Sequence, residues 1–285
     1  MRKIRISHVT TYSYSEAVEF GAHQLFIRPR EGHDIRISSS KLRISPAAKV
    51  KWYRDLNGNS VADVQFSESA GELKINSEVV IEHYDESPYD FEIEDSAVNY
   101  PFNFRPFERL DLAPDLSPCY PNDQNLVENW VKQFWQSGRF VPTYELLQSM
   151  NLAIANQFEY QMREEPGVQR PEEILQSQRG SCRDYATLMI EACRYLGIPA
   201  RFVSGYLNCP ETVVGHGSTH AWTEIYLPGA GWKGFDSTSG SVTGPNHIAV
   251  AVARHPEAIP PVSGSFKSAG AVSSQMRVQV DVNTL

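Results

Sequence analysis

The chain has 285 residues, of which 41% are hydrophobic and 21% charged, and this composition excludes disordered, collagen-like and coiled-coil proteins. Its formal net charge of −8, without a basic run, argues against a nucleic-acid partner or an anionic membrane surface. Its four cysteines do not make a disulfide scaffold at this length, and the sequence shows neither a signal peptide nor a membrane span, so we expect a cytoplasmic protein with free thiols.

Residues 1–95 alternate between apolar and polar side chains with a period of two, which is typical of half-buried β-strands. Asn57-Gly58 lies between two such runs and predicts a tight hairpin turn. No segment here has a long helical period. We therefore predict an N-terminal antiparallel β-sandwich domain over residues 1–100.

Residues 85–120 change in character, with an acidic run over residues 85–95 followed by several prolines. Aromatic side chains are frequent in this segment, among them Tyr100, Phe102, Phe104 and Phe107. Because so many aromatic residues are unusual in a free linker, we predict an ordered connector that packs through them, with the domain boundary inside it.

From residue 123 the apolar period becomes helical, and it predicts helices near residues 126–134 and 146–154. Pro171, followed by two glutamates, predicts another helix start. Between residues 182 and 196 the polar side chains fall in one narrow stripe, which predicts a nearly buried helix that ends at Gly197.

Strands follow these helices, at residues 200–207, 219–227 and 232–235, and residues 276–282 alternate strictly as a last strand. Helices followed by antiparallel strands are typical of an α+β domain. The predicted fold class is therefore α+β, with the N-terminal β-sandwich followed by an α+β domain over residues 101–285 that includes the C-terminal strand.

Cys182 follows Gly180-Ser181 in the first turn of the predicted buried helix. The start of a helix stabilises an anion through its dipole and its free N–H groups, so it favours a thiolate and can also stabilise an oxyanion. The alternative is a small residue packed under a helix cap, since free cysteines are mostly buried hydrophobes. We assign that simpler role to the other three cysteines, Cys119, Cys193 and Cys209.

Alternation along the second strand of the α+β domain places His220 and Trp222 on one face. If Tyr226 pairs with Trp232 across the Pro-Gly turn, Asp236 becomes the diagonal neighbour of His220, and its carboxylate can reach the imidazole. A slip of one residue would send Asp236 to the opposite face. A thiol, an imidazole and a carboxylate in this chain order are what nucleophilic acyl transfer requires.

Several segments resemble the bacterial transglutaminase-like superfamily. They are Gly180-Ser181-Cys182-Arg183-Asp184-Tyr185-Ala186, residues 196–206, His220-Ala221-Trp222 and Gly234-Phe235-Asp236. Residues 8–14 and 25–30 resemble the N-terminal β region of that family, and residues 247–254 its tail. The resemblance implies a papain-like, transglutaminase-like core in which Cys182 is the nucleophile, His220 the base and Asp236 its partner. Ser237 is a departure, because the family usually has proline there.

Other residues are weaker candidates for a role in substrate or metal binding. Gln176, six residues before Cys182, could supply an oxyanion donor, with a solvated helix-end side chain as the alternative. Trp222 could form a wall of the substrate channel, with a core position as the alternative. His216, His220 and Cys209 could suggest a metal, but the glycines on both sides of His216 argue against the helix that this spacing requires. We expect no metal and no cofactor.

The sequence therefore predicts a cysteine-dependent amide hydrolase or acyl transferase that acts on a peptide or protein substrate through a thioester on Cys182. Two alternatives stay open: protein-glutamine γ-glutamyl transfer, and a non-catalytic peptide-binding module on the same fold. Because the sequence has no calcium loop that could gate an amine channel, we expect hydrolysis rather than transamidation, without a metal.

Overall fold

The computed structural model describes residues 1–84, 87, 89–163, 165–209 and 219–285. Strands and helices are numbered in chain order. The strands are β1 Arg2–Leu25, β2 Ile35–Ser45, β3 Ala48–Arg54, β4 Ser60–Phe66, β5 Ala70–His83, β6 Asn99–Tyr100, β7 Val141–Pro142, β8 Glu159–Tyr160, β9 Arg179–Gly180, β10 Ala200–Leu207, β11 His220–Leu227, β12 Gly231–Asp236, β13 Ser241–Val242, β14 His247–Ala253, β15 Val262–Lys267 and β16 Ser274–Thr284. The helices are α1 Pro106–Asp111, α2 Ala113–Leu116, α3 Gln124–Val131, α4 Thr143–Gln157, α5 Pro171–Ser177 and α6 Cys182–Tyr195.

The N-terminal region is built around β1, which is 24 residues long. The first part of β1 pairs with β5 and β16, and its last part pairs with β4 and β15, always antiparallel. The result is a seven-stranded sheet in the order β2-β5-β1-β4-β3, with β15 and β16 alongside β1. Side chains of β1 and of its partner strands β4 and β5, such as Val18, Val64 and Leu73, pack into one apolar core. The predicted α+β class, with antiparallel β-structure first, is confirmed.

The hairpin predicted at Asn57-Gly58 joins β3 to β4. Gly58 has a φ of 71°, a left-handed conformation that glycine adopts without strain. The carboxylate of Asp55 accepts the backbone N–H groups of Asn57 and Asn59, at 2.9 and 2.8 Å. These bonds fix the turn locally, which explains why sequence alone predicts it.

The C-terminal strands differ from the predicted grouping of residues 101–285. Both β15 and β16 hydrogen-bond to β1, so the end of the chain returns to the N-terminal sheet. The pairing of β16 runs from Thr284 opposite Ile4 to Ser274 opposite Tyr14. This pairing covers an edge of β1 that would otherwise expose unpaired backbone groups. The boundary near residue 100 stays a prediction.

The connector is anchored at Tyr100, which is buried and donates its hydroxyl proton to the carbonyl oxygen of Leu196, at 2.8 Å. Phe102 packs edge-on against Tyr100. Phe107, by contrast, is 60% exposed on α1, so the predicted packing through aromatic residues holds for only part of the segment. Residues 85, 86 and 88 of the acidic run lie outside the described residues.

The second region is a five-stranded antiparallel sheet in the order β13-β12-β11-β10-β14, and α6 packs against it. The predicted strands near residues 200–207, 219–227 and 232–235 correspond to β10, β11 and β12. Helices α3, α4 and α5 lie around α6, near the positions that the helical period predicts. In the part of the chain that is described, no helix is long and apolar enough to cross a membrane.

Helix α6 is more deeply buried than its sequence predicts. Its polar stripe is buried together with its apolar faces. Within that stripe Glu191 pairs with Arg194 at 3.0 Å, and Asp184 pairs with Arg163 at 2.8 Å. Because each charge has a partner, the helix can lie at the centre of the second region without unpaired buried ions.

Candidate active site

Cys182 is the first residue of α6 and is partly exposed. Its position is fixed by Asp184, whose carboxylate accepts the backbone N–H and the hydroxyl of Ser181, both at 2.8 Å. A side chain at Gly180 would place its Cβ 3.0 Å from the Cβ of Asp184 and 3.1 Å from the Tyr185 ring. The Gly-Ser-Cys segment therefore forms a tight, capped turn that presents a thiol at the start of a helix.

His220 begins β11, and Asp236 ends β12. Tyr226 lies opposite Trp232, so the predicted register is confirmed. His220 Nε2 lies 3.0 Å from Asp236 Oδ2, and the two residues are only 2% and 1% exposed. The predicted contact between the carboxylate and the imidazole is thereby confirmed, whereas a catalytic role for the two residues stays a prediction.

The other nitrogen of the His220 ring, Nδ1, is buried and makes no hydrogen bond within the described residues, and the Cys182 side chain is close enough to the ring to affect its pKa. Burial disfavours the charged ring, but the hydrogen bond to Asp236 and the neighbouring Cys182 outweigh it and raise the pKa of His220 to about 10. Burial also disfavours the Asp236 carboxylate, yet hydrogen bonds from His220 and His247 hold the pKa of Asp236 well below its usual range. The pair therefore favours an imidazolium beside a carboxylate.

A second imidazole, that of His247 at the start of β14, shares the Asp236 carboxylate. Its Nε2 lies 3.1 Å from the same Oδ2 atom, and its Nδ1 accepts the backbone N–H of Gly244 at 3.2 Å. The second carboxylate oxygen, Oδ1, accepts the backbone N–H of Thr238 at 2.9 Å. No feature of the sequence predicts this contact. In the sequence, His247 stands out only as the first residue of the tail segment.

Tyr160 lies on the other side of Cys182. Strand β8 pairs in parallel with β9, which places Tyr160 opposite Gly180, and the N–H of Gln161 donates to the Gly180 carbonyl at 2.8 Å. The Tyr160 hydroxyl interacts with both the thiol and the backbone N–H of Cys182. Burial and the neighbouring thiol raise the pKa of Tyr160, so its phenol keeps its proton. A pairing of two-residue strands leaves no periodic signal, so the sequence does not predict it.

Two regions of the chain match known protein families. Residues 136–237 match the transglutaminase-like superfamily, and residues 4–82 match the bacterial transglutaminase-like N-terminal region. The chain combines a transglutaminase-like core with a bacterial transglutaminase-like N-terminal region. Their order along the chain is the order that the sequence segments predict.

Individual relatives cover different shares of the chain. The uncharacterized protein Rv2569c of Mycobacterium tuberculosis is 26% identical over 294 residues, covering 98% of this chain and 92% of that protein. The kyphoscoliosis peptidase of Mus musculus is 27% identical over 154 residues, covering 51% of this chain and 22% of that protein. The crystal structure of a candidate cysteine protease from Cytophaga hutchinsonii is similar with a TM-score of 0.76 and 20% identity, covering 100% of this chain and 91% of that one, which shows a shared fold.

The two predicted substrate-binding residues, Gln176 and Trp222, differ in their surroundings. Gln176 is exposed on α5, and its amide donates to Glu172 at 3.2 Å, so its described contact is along its own helix. Trp222 is 2% exposed and packs with Val203 and Val252. The Trp222 ring also borders the polar cavity that His247 lines, and its predicted role in substrate binding stays a prediction.

The other cysteines differ in their surroundings. Cys193 is fully buried, and burial raises its pKa. Cys119 accepts a hydrogen bond from the Arg194 guanidinium at 3.0 Å. Cys209 is partly exposed, and burial raises its pKa against a smaller opposing effect of His220. His216, from the proposed metal spacing, lies outside the described residues.

Among the described residues, one group of side chains has the atoms to coordinate a metal ion. The ring nitrogens and the carboxylate of His220, Asp236 and His247 lie within 4.8 Å of one another. Asp236 Oδ2, however, already lies at hydrogen-bond distance from both rings, so hydrogen bonds account for the arrangement. The expected absence of a metal stays a prediction.

Proposed function

We propose that this protein is a cysteine-dependent amide hydrolase that acts on a peptide or protein substrate through a thioester on Cys182. The observation that carries the proposal is the arrangement of three side chains: Cys182 neighbours the His220 ring, and Nε2 of that ring is 3.0 Å from Asp236. In this order a thiol loses its proton to an imidazole whose orientation a carboxylate fixes.

The proposed reaction has two halves. The thiol proton moves to His220, the sulfur attacks the amide carbonyl carbon, and a C–S bond forms. The tetrahedral intermediate then expels the amine, which takes the proton from His220 as the C–N bond breaks. In the second half, water gives a proton to His220 and attacks the thioester. The C–S bond then breaks, releasing the acid and regenerating the Cys182–His220 pair.

The negative oxygen that forms in each half needs donors beside the sulfur. The backbone N–H of Cys182 is one, because it lies in the first turn of α6, where no carbonyl of the same helix can accept it. The Tyr160 hydroxyl lies beside the same N–H and stays protonated, so it is the second. We assign both groups to the proposed oxyanion site, in place of the predicted Gln176.

Two similar proteins support the reaction class. One is described as a peptidase, the kyphoscoliosis peptidase of mouse, and one as a candidate cysteine protease, from Cytophaga hutchinsonii. Transfer to an amine instead of water uses the same thioester. It therefore differs from hydrolysis only in the acceptor that reaches the acyl carbon.

The first test uses p-nitrophenyl acetate, an activated ester that acylates a reactive thiol without needing the natural substrate. We expect the parent protein to release p-nitrophenolate and to carry an acetyl group on Cys182, seen by peptide mapping. The Cys182→Ala variant should lose both signals. The Cys119→Ser variant is the control, because a hydroxyl can still accept the bond from Arg194. Turnover that survives in Cys182→Ala would overturn the proposal.

A second measurement identifies the acceptor. The parent is given a glutamine-containing peptide mixture with an excess of a labelled primary amine, with and without EDTA. We expect released acid to exceed the amine adduct, and EDTA to have no effect. A dominant amine adduct would replace hydrolysis by transamidation, and activity that requires added calcium would contradict the metal-independent mechanism.

A further inference from the structure

The carboxylate of Asp236 has two imidazole partners, and catalysis as proposed uses only one of them. His220 and His247 approach the same oxygen, Oδ2, at 3.0 and 3.1 Å. Nothing in the proton transfers between Cys182 and His220 involves His247. A partly buried ring at hydrogen-bond distance from that carboxylate nevertheless affects where the carboxylate points.

The hydrogen bonds of His247 fix which of its nitrogens carries the proton. The backbone N–H of Gly244 can only donate, so Nδ1 of His247 accepts that bond with its lone pair and carries no proton. In the neutral ring the proton is then on Nε2, from which it is donated to Asp236. His247 therefore donates a hydrogen bond to the carboxylate. In this tautomer its basic nitrogen, Nδ1, faces Gly244 and not Asp236.

The ring of His247 is also held in place by packing. Trp222 meets it edge-on, with ring centroids 5.3 Å apart. A Cβ at Gly205 would lie 2.5 Å from the Trp222 ring and 2.4 Å from the carbonyl oxygen of Ile248, so only glycine leaves room for this tryptophan. The indole thus lies between the backbone of β10 and the imidazole of His247.

Together with Trp222, His247 borders a polar cavity of about 200 Å³ between the N-terminal sheet and the core. The cavity is also lined by charged residues, among them Arg30, Asp34 and Glu224, whereas Asp236 does not line it. The ring of His247 therefore separates the carboxylate from water and from charges that would compete for its oxygens.

We propose that His247 is a positioning residue that holds the Asp236 carboxylate with Oδ2 aimed at His220. The inference rests on the proposed function, because it assigns His247 to the orientation of that triad. His247 itself does not touch the reacting atoms. It acts through Asp236, whose orientation in turn sets the tautomer and the direction of the base.

The test compares two amide replacements that each retain one of the two hydrogen bonds of His247. The amide of His247→Gln reaches as far as Nε2 and can donate to Asp236. The shorter amide of His247→Asn reaches only the position of Nδ1 and can accept from Gly244. A third variant, His247→Leu, removes both bonds. Asp34→Asn is the control, because Asp34 lines the same cavity from the N-terminal sheet.

Hydrolysis of p-nitrophenyl acetate gives kcat and KM for each variant, and thermal unfolding checks that each is folded. We expect His247→Leu and His247→Asn to lower kcat by about 10- to 100-fold, with KM changed less than about twofold. His247→Gln should recover most of the loss, and Asp34→Asn should match the parent.

The opposite order of rescue would overturn the inference. If His247→Asn recovers activity and His247→Gln does not, the residue supports the Gly244 turn and does not orient Asp236. Parental kcat in His247→Asn would overturn it too, and this variant remains informative if His247→Leu fails to fold. The proposed function fails separately, if Cys182→Ala keeps turnover in the same assay.

Discussion

The buried carboxylate of Asp236 accepts hydrogen bonds from His220, from His247 and from the backbone N–H of Thr238. At 1% exposure it has lost its water, so these donors are what stabilises its charged form. Its charge in turn stabilises the protonated ring of His220. The state of the base at this site is therefore decided by the hydrogen bonds around one carboxylate.

The first prediction concerns the pH dependence of Cys182 alkylation. Because the pKa of His220 is raised to about 10, the ring carries a positive charge beside Cys182 throughout the neutral pH range. We expect the rate of iodoacetamide labelling at Cys182 to stay level between about pH 6 and pH 9. An ordinary thiol reacts about tenfold faster for each pH unit gained below about pH 8.5.

Peptide mapping over a time course measures this rate, with Cys119 and Cys209 in the same digest as internal controls. His220→Gln removes the base, so its Cys182 should follow the steep profile of an ordinary thiol. Earlier labelling of Cys209 than of Cys182, or a steep profile in the parent protein, would contradict the assignment of the nucleophile.

The second prediction concerns Tyr160. Tyr160→Phe removes only the hydroxyl beside the Cys182 backbone N–H and leaves the ring packed near Tyr185. We expect kcat for p-nitrophenyl acetate to fall by about 10²-fold, as for other single oxyanion donors, with little change in KM. Tyr144→Phe is the control, because Tyr144 packs against Phe91, and it should keep parental kcat. Equal kcat in Tyr160→Phe and the parent would remove Tyr160 from the oxyanion site.

The candidate triad can be predicted from the sequence because its signals are local. Cys182 follows a glycine-serine pair at a helix start, and the short turn after β11 fixes the register that brings Asp236 to His220. Tyr160 and His247 have no such signal. Their places depend on a two-residue parallel pairing and on a strand that crosses to the far side of β10.

At the scale of elements, α6 shows both the strength and the limit of sequence periodicity. Its apolar period predicts its ends within a residue or two, yet periodicity cannot show that the polar stripe is buried as well. The partners of that stripe are distant in sequence. Glu191 accepts the backbone N–H groups of Cys119 and Tyr120, at 3.0 and 3.3 Å, from the segment before α3.

The third prediction concerns the buried ion pair of α6. The side chains of Glu191 and Arg194 are 1% and 0% exposed, with 3.0 Å between their charged atoms. Glu191→Gln leaves the Arg194 charge buried without a carboxylate, so we expect the free energy of unfolding to fall by about 3 kcal/mol. Chemical denaturation measures this change.

The matched comparison replaces both charges, as Glu191→Met with Arg194→Met. Replacing a whole buried pair by apolar side chains leaves no unpaired charge, so the double variant should lose less stability than Glu191→Gln alone. A double variant less stable than the single one would show that the hydrogen bonds to the neighbouring backbone, and not the unpaired charge, carry the cost.

At the scale of the whole molecule, the two regions share backbone contacts that the sequence does not reveal. The first and last strands, β1 and β16, lie side by side, although their residues are separated by most of the chain. Alternation predicts that both segments are strands but not that they pair, because strand pairing between chain ends leaves no local pattern. The hairpin after β3 makes a second link, since Asn59 contacts the backbone of β14.

The last prediction concerns this link between the two regions. Asn59 is fully buried, and its amide both donates to the carbonyl of Val252 at 2.8 Å and accepts the N–H of Val252 at 2.9 Å. Asn59→Ala leaves both backbone groups of Val252 buried without these partners, which should lower the free energy of unfolding by about 2–4 kcal/mol.

Asn57→Ala, in the same turn, is the control. We expect hydrogen exchange at the Val252 amide to accelerate in Asn59→Ala only, because the hydrogen bonds of Asn57 with Asp55 and Arg30 use its backbone, which the alanine keeps. Unchanged protection of Val252 would show that β14 is held by its pairing with β10 alone, and that the hairpin does not couple the N-terminal sheet to the core.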